Sequence, residues 1–251
     1  MAKKDLTPFG ALRLRFRASV DLEWRTLRDA MATAAPYAHG RLLDVGCGDK
    51  PWAATFAPRV TEHVGLERTG VRQSRADVFY DGGRMPFADA EFDTVLSNQV
   101  LEHVPDPRVL WADMVRVLRP GGTLVVTVPF SFRLHAEPED YWRFTSHALR
   151  RLCDESGLVV EVLQPRGGLW LVLGHKLAAY LTFAVGRFHR EAQAAGSTTY
   201  EPRATQGPRW WAVPLVVPAV IGVTALARWL DGIDPQTGDT LGYLLVARRP
   251  A

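Results

Sequence analysis

Residues 42–49 read Leu-Leu-Asp-Val-Gly-Cys-Gly-Asp, an apolar strand-like run that ends on Gly46 and Gly48. Glycines at such a point let the backbone turn sharply and approach a ligand that a Cβ would exclude. A dinucleotide fingerprint requires a third glycine at position 51, where this chain has Pro51, so the sequence speaks against that class of site. The next strand-like run ends on an acidic residue, Glu67. A carboxylate there can accept both hydroxyl protons of a ribose, whichever nucleoside is bound.

Outward from this stretch, apolar runs alternate with helix-like segments through the first two thirds of the chain, the pattern of a parallel sheet with crossover helices. The spacing predicts strands over 41–45, 62–66, 77–80, 92–97, 123–128 and 158–163, with a seventh over 241–247. A short helix is expected over 49–58, capped by Asp49 with Pro51 in its first turn. Val109, Leu110, Met114, Val115 and Leu118 recur at helical spacing over 107–118, and Pro120-Gly121-Gly122 is the expected stop. A further helix is read over 145–156, with Gly157 as its terminator. Residues 165–240 separate the last two strands, far more than a hairpin needs.

The 251 residues carry a formal charge of +3 and 47% hydrophobic side chains, an ordinary globular composition that gives no reason to expect nucleic acid as a partner. Residues 1–30 hold seven basic and four acidic side chains, 163–251 hold nine and five, and the middle holds 14 and 18. Basic ends around a mildly acidic middle suit contact with an anionic surface, although solvated charge gives the same count. Cys47 and Cys153 match no metal spacing, so no disulfide framework and no metal are expected. The opening MAKKDLTPFG runs into LRLRFR and does not read as a secretory signal, which makes the cytoplasm the expected compartment.

LLDVGCGD, Glu67, the run Asp81-Gly82-Gly83-Arg84-Met85-Pro86-Phe87, FDTVLSNQVLEHV and RVLRPGG together resemble, in this order, the motifs of class I S-adenosylmethionine-dependent methyltransferases, in the branch related to ubiquinone and sugar methyltransferases. The resemblance covers roughly residues 40–163. It implies an α/β, Rossmann-like, seven-stranded and mostly parallel sheet with helices on both faces, plus an apolar helical insert between the last two strands. Divided accordingly, the chain reads as an N-terminal basic helical segment (1–39), a cofactor-binding core (40–163), the insert (164–239) and the last core strand (240–251).

The same resemblance implies S-adenosylmethionine as cofactor. Asp44, Gly46 and Gly48 would line its methionine and ribose portion, and Glu67 would hold the ribose hydroxyls. Asp81 with the backbone of Gly82 would sit at the adenine edge, and Asn98, with Gln99 beside it, would face the sulfonium and amino-acid end. Two departures stand out. Lys50 occupies a position where many members have another glycine, and the segment between Glu67 and Asp77 is too short for a full crossover helix. Cys47 reads as a small packing residue and Glu102-His103 as structural capping of the segment that follows.

Methyl transfer from a sulfonium is an in-line displacement whose rate owes much to alignment, and a hydroxyl acceptor benefits from a general base. The expected place is the loop after the fifth strand. It reads Ser131-Phe132-Arg133-Leu134-His135-Ala136-Glu137-Pro138-Glu139-Asp140-Tyr141-Trp142-Arg143-Phe144-Thr145 and resembles the H-x-x-P-x-D-Y-x-R-[FY]-T segment of bacterial methyltransferases associated with surface polysaccharides. His135 is the candidate base, with Asp140 orienting it or binding a substrate hydroxyl. Tyr141 and Arg143 are candidate substrate contacts. A purely structural reading has Asp140 and Arg143 pair to brace the loop while Tyr141 packs.

Two apolar stretches, 168–188 and 210–230, fall in the insert. Tryptophans and arginines near them suit helices that dip into one leaflet at the inner membrane face. Arg187, Arg190, Arg203 and Arg209 in the connection argue against a spanning hairpin. A lid over the site or a homodimer face would bury the same surface. The leading expectation is methyl transfer to a small-molecule or glycan-type acceptor, with a lipid-linked form included. The others are a soluble quinone or secondary-metabolite O-methyltransferase, and a non-catalytic scaffold or sensor that keeps the cofactor fold.

Overall fold

The computed structural model describes residues 20–71, 74–186 and 210–251. The basic residues before position 20, the four arginines of the insert connection and the side chain of Trp210 lie outside the described residues. Seven strands form one sheet: β1 (Gly40–Val45), β2 (Val60–Arg68), β3 (Val78–Tyr80), β4 (Phe92–Asn98), β5 (Leu118–Pro129), β6 (Val159–Pro165) and β7 (Gly242–Arg248). Their order is β3-β2-β1-β4-β5-β7-β6. Pairings from β3 through β5 are parallel, and β7 runs antiparallel between β5 and β6. The expected mostly parallel, seven-stranded Rossmann-like sheet is the one found.

The helices in chain order are α1 (Leu22–Ala34), α2 (Ala53–Phe56), α3 (Pro107–Val117), α4 (Ser146–Glu155), α5 (Leu169–Gly186) and α6 (Val213–Ile233). Asp106 caps α3 by accepting from the Arg108 N–H, with Pro107 in its first turn, and Thr145 caps α4 by accepting from Ala148 N–H, both standard ways of satisfying an orphan donor. The expected cap at Asp49 is corrected: α2 starts only at Ala53, with Trp52 in the cap position and no side-chain cap bond. Gly46, Gly48 and Lys50 have φ of 68, 51 and 54°, left-handed values that no right-handed helix can include. Lys50 thus adopts the conformation a glycine would favour. Its ammonium is held by the Asp77 carboxylate and by His63 O at 3.0 Å.

The chain divides into two compact units, and the larger one contains the sheet. Its core joins Leu43, Val45, Val95 and Val126 of the central strands to Met114 of α3 and Leu149 of α4, all buried. Cys47 and Cys153 are both buried there as free thiols, each pushed up to about 11 chiefly by burial, which leaves them unreactive packing residues. Between β2 and β3 the described residues contain no helix, as the short spacing implies.

The second unit contains the helical pair of the insert. Gly168 N–H donates to Asp231 Oδ1 at 3.0 Å and Leu169 N–H to Gln236 O at 2.9 Å, so the start of α5 meets the end of α6 and the two run antiparallel. Gly174 sits so close to the Ala227 methyl that a side chain would not fit. Leu173, Leu177, Leu215, Leu226 and Trp229 are exposed, and Trp211 is 74% exposed. Among the described residues α6 is the helix long and apolar enough to cross a membrane by length and composition, and little of it is buried.

Two outcomes test this architecture. A Cβ at Gly242 would fall inside contact distance of Val128 O and the Arg166 guanidinium, so Gly242→Ala should lower stability by about 1–3 kcal/mol in urea unfolding followed by circular dichroism. Partial burial alone would raise the pKa of Asp93, but the Arg41 N–H (2.7 Å) and the Arg119 guanidinium (2.7 Å) outweigh it and hold the carboxyl below its ordinary value. Its contribution is therefore complete above the unfolded pKa near 4 and is lost as pH falls through the lower folded value. Asp93→Asn should flatten the acid limb of the stability curve and leave the alkaline limb unchanged.

Candidate active site

The strand order sends the connections from β1 and β4 to opposite sides, which leaves a crevice at their carboxyl ends. Gly46, Glu67, Arg68, Tyr80, Gln99 and Val100 are among the residues that line a cavity of about 210 Å³ there. At Gly46 the φ is 68° and a Cβ would lie 2.5 Å from Val100 Cγ2, so the cradle exists only because no side chain stands in it. Glu67 is fixed on the opposite wall. Its Oε2 accepts from Gly48 N–H and its Oε1 from Arg68 N–H, both at 2.9 Å. Each oxygen retains acceptor capacity for a diol.

Of the other expected cofactor residues, Gln99 reaches this crevice. Gln99 has φ 57°, lines the cavity and donates through Nε2 to Thr127 Oγ1 at 3.3 Å. Asn98 ends β4 and accepts from Thr127 Oγ1 at 2.7 Å. Asp44 is buried beneath the strand ends, 3.0 Å from His63 Nε2; burial raises its pKa, and His63 and Lys50 oppose that. Asp81 is exposed and closes a turn by accepting from Gly83 N–H at 2.9 Å, with Gly82 at φ 95° between them. Asp44, Gly48, Asp81, Gly82 and Asn98 do not line the cavity. Nothing in the sequence marks Tyr80, Val100 or Leu110 as walls, since β3, the turn after β4 and α3 bring them together only in the fold.

The second half of the site is the loop 131–145, clasped over the turn that follows β4. Tyr141 N–H donates to Glu102 O at 2.8 Å, and Trp142 Nε1–H to Val104 O at 3.0 Å. Arg68 grips Glu139 through two nitrogens, at 3.2 and 3.1 Å. Arg143 binds Asp140 in the same two-pronged way, at 2.6 and 2.8 Å, and also donates to Trp142 O and Arg133 O. Its donors are thus committed to the loop. Tyr141, by contrast, is 48% exposed.

Asp140 in turn holds His135. Its Oδ2 accepts from His135 N–H at 2.9 Å and lies 3.2 Å from His135 Nδ1. Burial, with His103 and Arg143 adding, pulls the His135 pKa to about 4 against the opposing pull of Asp140. The ring is neutral at physiological pH and a weak base there. Glu102 and His103 do not cap the next segment, because Asp106 does that. Instead Glu102 is 0% exposed with no hydrogen-bond partner for either carboxylate oxygen, and burial lifts its pKa to about 8. No metal is expected from the sequence, yet the structure brings Glu102, His103 and His135 together within 4.8 Å.

Residues 16–163 match the model of a methyltransferase domain family. The chain belongs to that family. An uncharacterized methyltransferase of Mycobacterium sp. (strain JLS) is 44% identical over 94 residues, 34% of this chain and 37% of that protein. Across the curated relatives it matches, the chain spans between about a third and a half of their length. A Haloferax volcanii protein solved in complex with the Trm112 methyltransferase activator superposes with a TM-score of 0.55 at 17% identity, covering 97% of this chain and 96% of that one. An S-adenosylmethionine-dependent methyltransferase from Mesorhizobium loti gives 0.50 at 16% identity over 91% and 98% of the two chains. Family and fold make S-adenosylmethionine the cofactor. The Gly46 cradle, the doubly held Glu67 carboxylate and the apolar wall of Tyr80 and Val100 fit such a ligand.

In calorimetric titration with S-adenosylmethionine and its demethylated product, Glu67→Ala should weaken binding by about 10–100-fold, the value of hydrogen bonds to a charged group. Undiminished affinity would remove Glu67 from the cofactor site.

Proposed function

We propose that this chain transfers a methyl group from S-adenosylmethionine to a hydroxyl of a small, glycan-type acceptor, working as a peripheral enzyme at the inner membrane surface. The observation that carries the reading is the polar cluster of Glu102, His103, His135 and Asp140 next to the cofactor crevice, with the Tyr141 ring left free beside it. A sugar presents hydroxyls to such a cluster and an apolar ring face to an exposed aromatic. When bound, the cofactor supplies an electrophilic methyl on a positively charged sulfur.

The chain's own residues do the rest by placement. Gly46 and Glu67 fix one end of the line of transfer, and the clasped loop 131–145 fixes the other. Asp140 holds the His135 ring in one orientation, and Arg143 holds Asp140. The acceptor proton must leave as the new carbon–oxygen bond forms, and the polar cluster lines the side from which it departs. Arg143 serves as a positioning residue and Tyr141 as the substrate contact.

Support for the membrane surface is separate and comes from the α5–α6 pair, whose exposed leucines and Trp211 and Trp229 suit insertion into one leaflet.

With a panel of free and lipid-linked saccharides, Asp140→Asn should lower kcat/KM by about 10–100-fold, the usual cost of losing such a partner, while the Kd for S-adenosylmethionine stays unchanged. No methylation of any hydroxyl acceptor by protein that binds the cofactor would overturn the proposal. Wild-type chain should co-sediment with anionic phospholipid vesicles, and Trp211→Ala with Trp229→Ala should reduce the bound fraction several-fold.

A further inference from the structure

We propose that Glu102, His103 and His135 form a binding site for one divalent first-row transition-metal ion, ligated by the Glu102 carboxylate and by Nε2 of each histidine. Glu102 Oε1 lies 3.8 Å from His103 Nε2 and 3.9 Å from His135 Nε2, and the three donor atoms fall within 4.8 Å of one another. An ion bound at about 2.0–2.2 Å from nitrogen and oxygen ligands sets its donors roughly 3–3.5 Å apart. These side chains reach that arrangement by closing inward by about an ångström.

Two independent features point to a cation. Glu102 is completely buried, and neither of its oxygens has a hydrogen-bond partner. A buried carboxyl whose oxygens have no donors is costly to charge, and a bound cation is the partner that lets it ionise there. Among the described residues no arginine or lysine nitrogen hydrogen-bonds Glu102: Arg143 binds Asp140, and Arg143 and Arg166 act on Glu102 only through their charge.

The second feature is the outer ring of contacts. His103 Nδ1 lies 2.5 Å from Glu139 O, and His135 Nδ1 lies 3.2 Å from Asp140 Oδ2 and 3.3 Å from Arg133 O. All of these partners are acceptors, so each Nδ1 carries the hydrogen and each Nε2 lone pair faces Glu102. That second contact, from the far nitrogen to a carboxylate or carbonyl, is how metal-binding histidines are held and tuned. The sequence hides the set, since His135 stands 32 residues beyond His103 and only the Tyr141 clasp on Glu102 O brings the loop over the turn.

Two neutral imidazoles and one carboxylate leave a divalent ion with net positive charge and open positions. His103 lines the cofactor crevice together with Ala136 and Glu139, so an acceptor oxygen entering there can occupy one. This use of the ion rests on the proposed methyl transfer; its binding does not. A coordinated hydroxyl loses its proton more readily. The proton passes to solvent as the oxygen–carbon bond forms and the carbon–sulfur electron pair returns to sulfur, with no change of oxidation state.

The test is titration of chelator-treated full-length chain with Zn²⁺ by calorimetry and with Co²⁺ by visible absorption, in the absence of acceptor. One ion per chain, with absorption typical of low-coordinate Co²⁺, is expected. His103→Gln and His135→Gln, at partly exposed positions, should each weaken binding at least tenfold, and Glu102→Gln more. Asp140→Asn should weaken it by about 10–100-fold through His135. The circular dichroism of each histidine variant, and the S-adenosylmethionine affinity of His135→Gln, should match wild type, which separates loss of the ion site from loss of the fold. No stoichiometric binding, or binding indifferent to both histidine replacements, would overturn the site. Failure of methyl transfer with the ion bound would instead count against the proposed function alone.

Discussion

Everything in the catalytic half of this protein depends on where β1 and β4 lie. They are adjacent and parallel, and the chain leaves them toward opposite edges of the sheet. No connection can cover the gap above their carboxyl ends, and that gap becomes the crevice. The backbone turn at Gly46 and the side chain of Glu67 are consequences of this placement. Register aligns Val45 with Leu66 on one side and with Ser97 on the other, so the ends of three strands reach the crevice at the same height.

The opposite wall is made differently. Loop 131–145 has no regular secondary structure before α4, yet its polar groups are almost wholly committed. Tyr141 N–H, Trp142 Nε1, Glu139 and Asp140 each bind a partner from β2, the turn after β4 or the loop itself. A long loop held by directional bonds keeps side chains within narrow limits, as a site for bond formation requires. Under this clasp lies Glu102, with no hydrogen-bond donor to either carboxylate oxygen among the described residues. It is also the group around which two histidines converge.

The helical pair of the insert follows another rule. Its seam is made by small residues, Gly174 against Ala227, which lets the helices approach closely while their bulky apolar side chains point away. Leu173, Leu177, Leu215, Leu226 and Trp229 of the two helices are exposed, and so is Trp211 just before α6. Pro218 lies inside α6, where the missing N–H of proline leaves one carbonyl without its helical donor.

The sheet and its strands were legible in the sequence, and so was the placing of Gly46, Gly48 and Glu67 at strand ends. Period-two and period-3.6 patterns are local, and a sharp backbone turn after a strand asks for glycine at Gly46 and Gly48. The sequence also marked 131–145 as chemically loaded, and paired Asp140 with both Arg143 and His135 as weighed alternatives. Both contacts occur, because one carboxylate has enough lone pairs for two partners. The sequence misplaced the start of α2, since three successive alternate residues in left-handed conformation leave no pattern in hydropathy. It read Glu102-His103 as a cap, which Asp106 provides. What Glu102 faces is set by the fold alone. Burial and the missing donors arise from contacts between residues far apart in sequence, and these depend on how a loop folds over a turn.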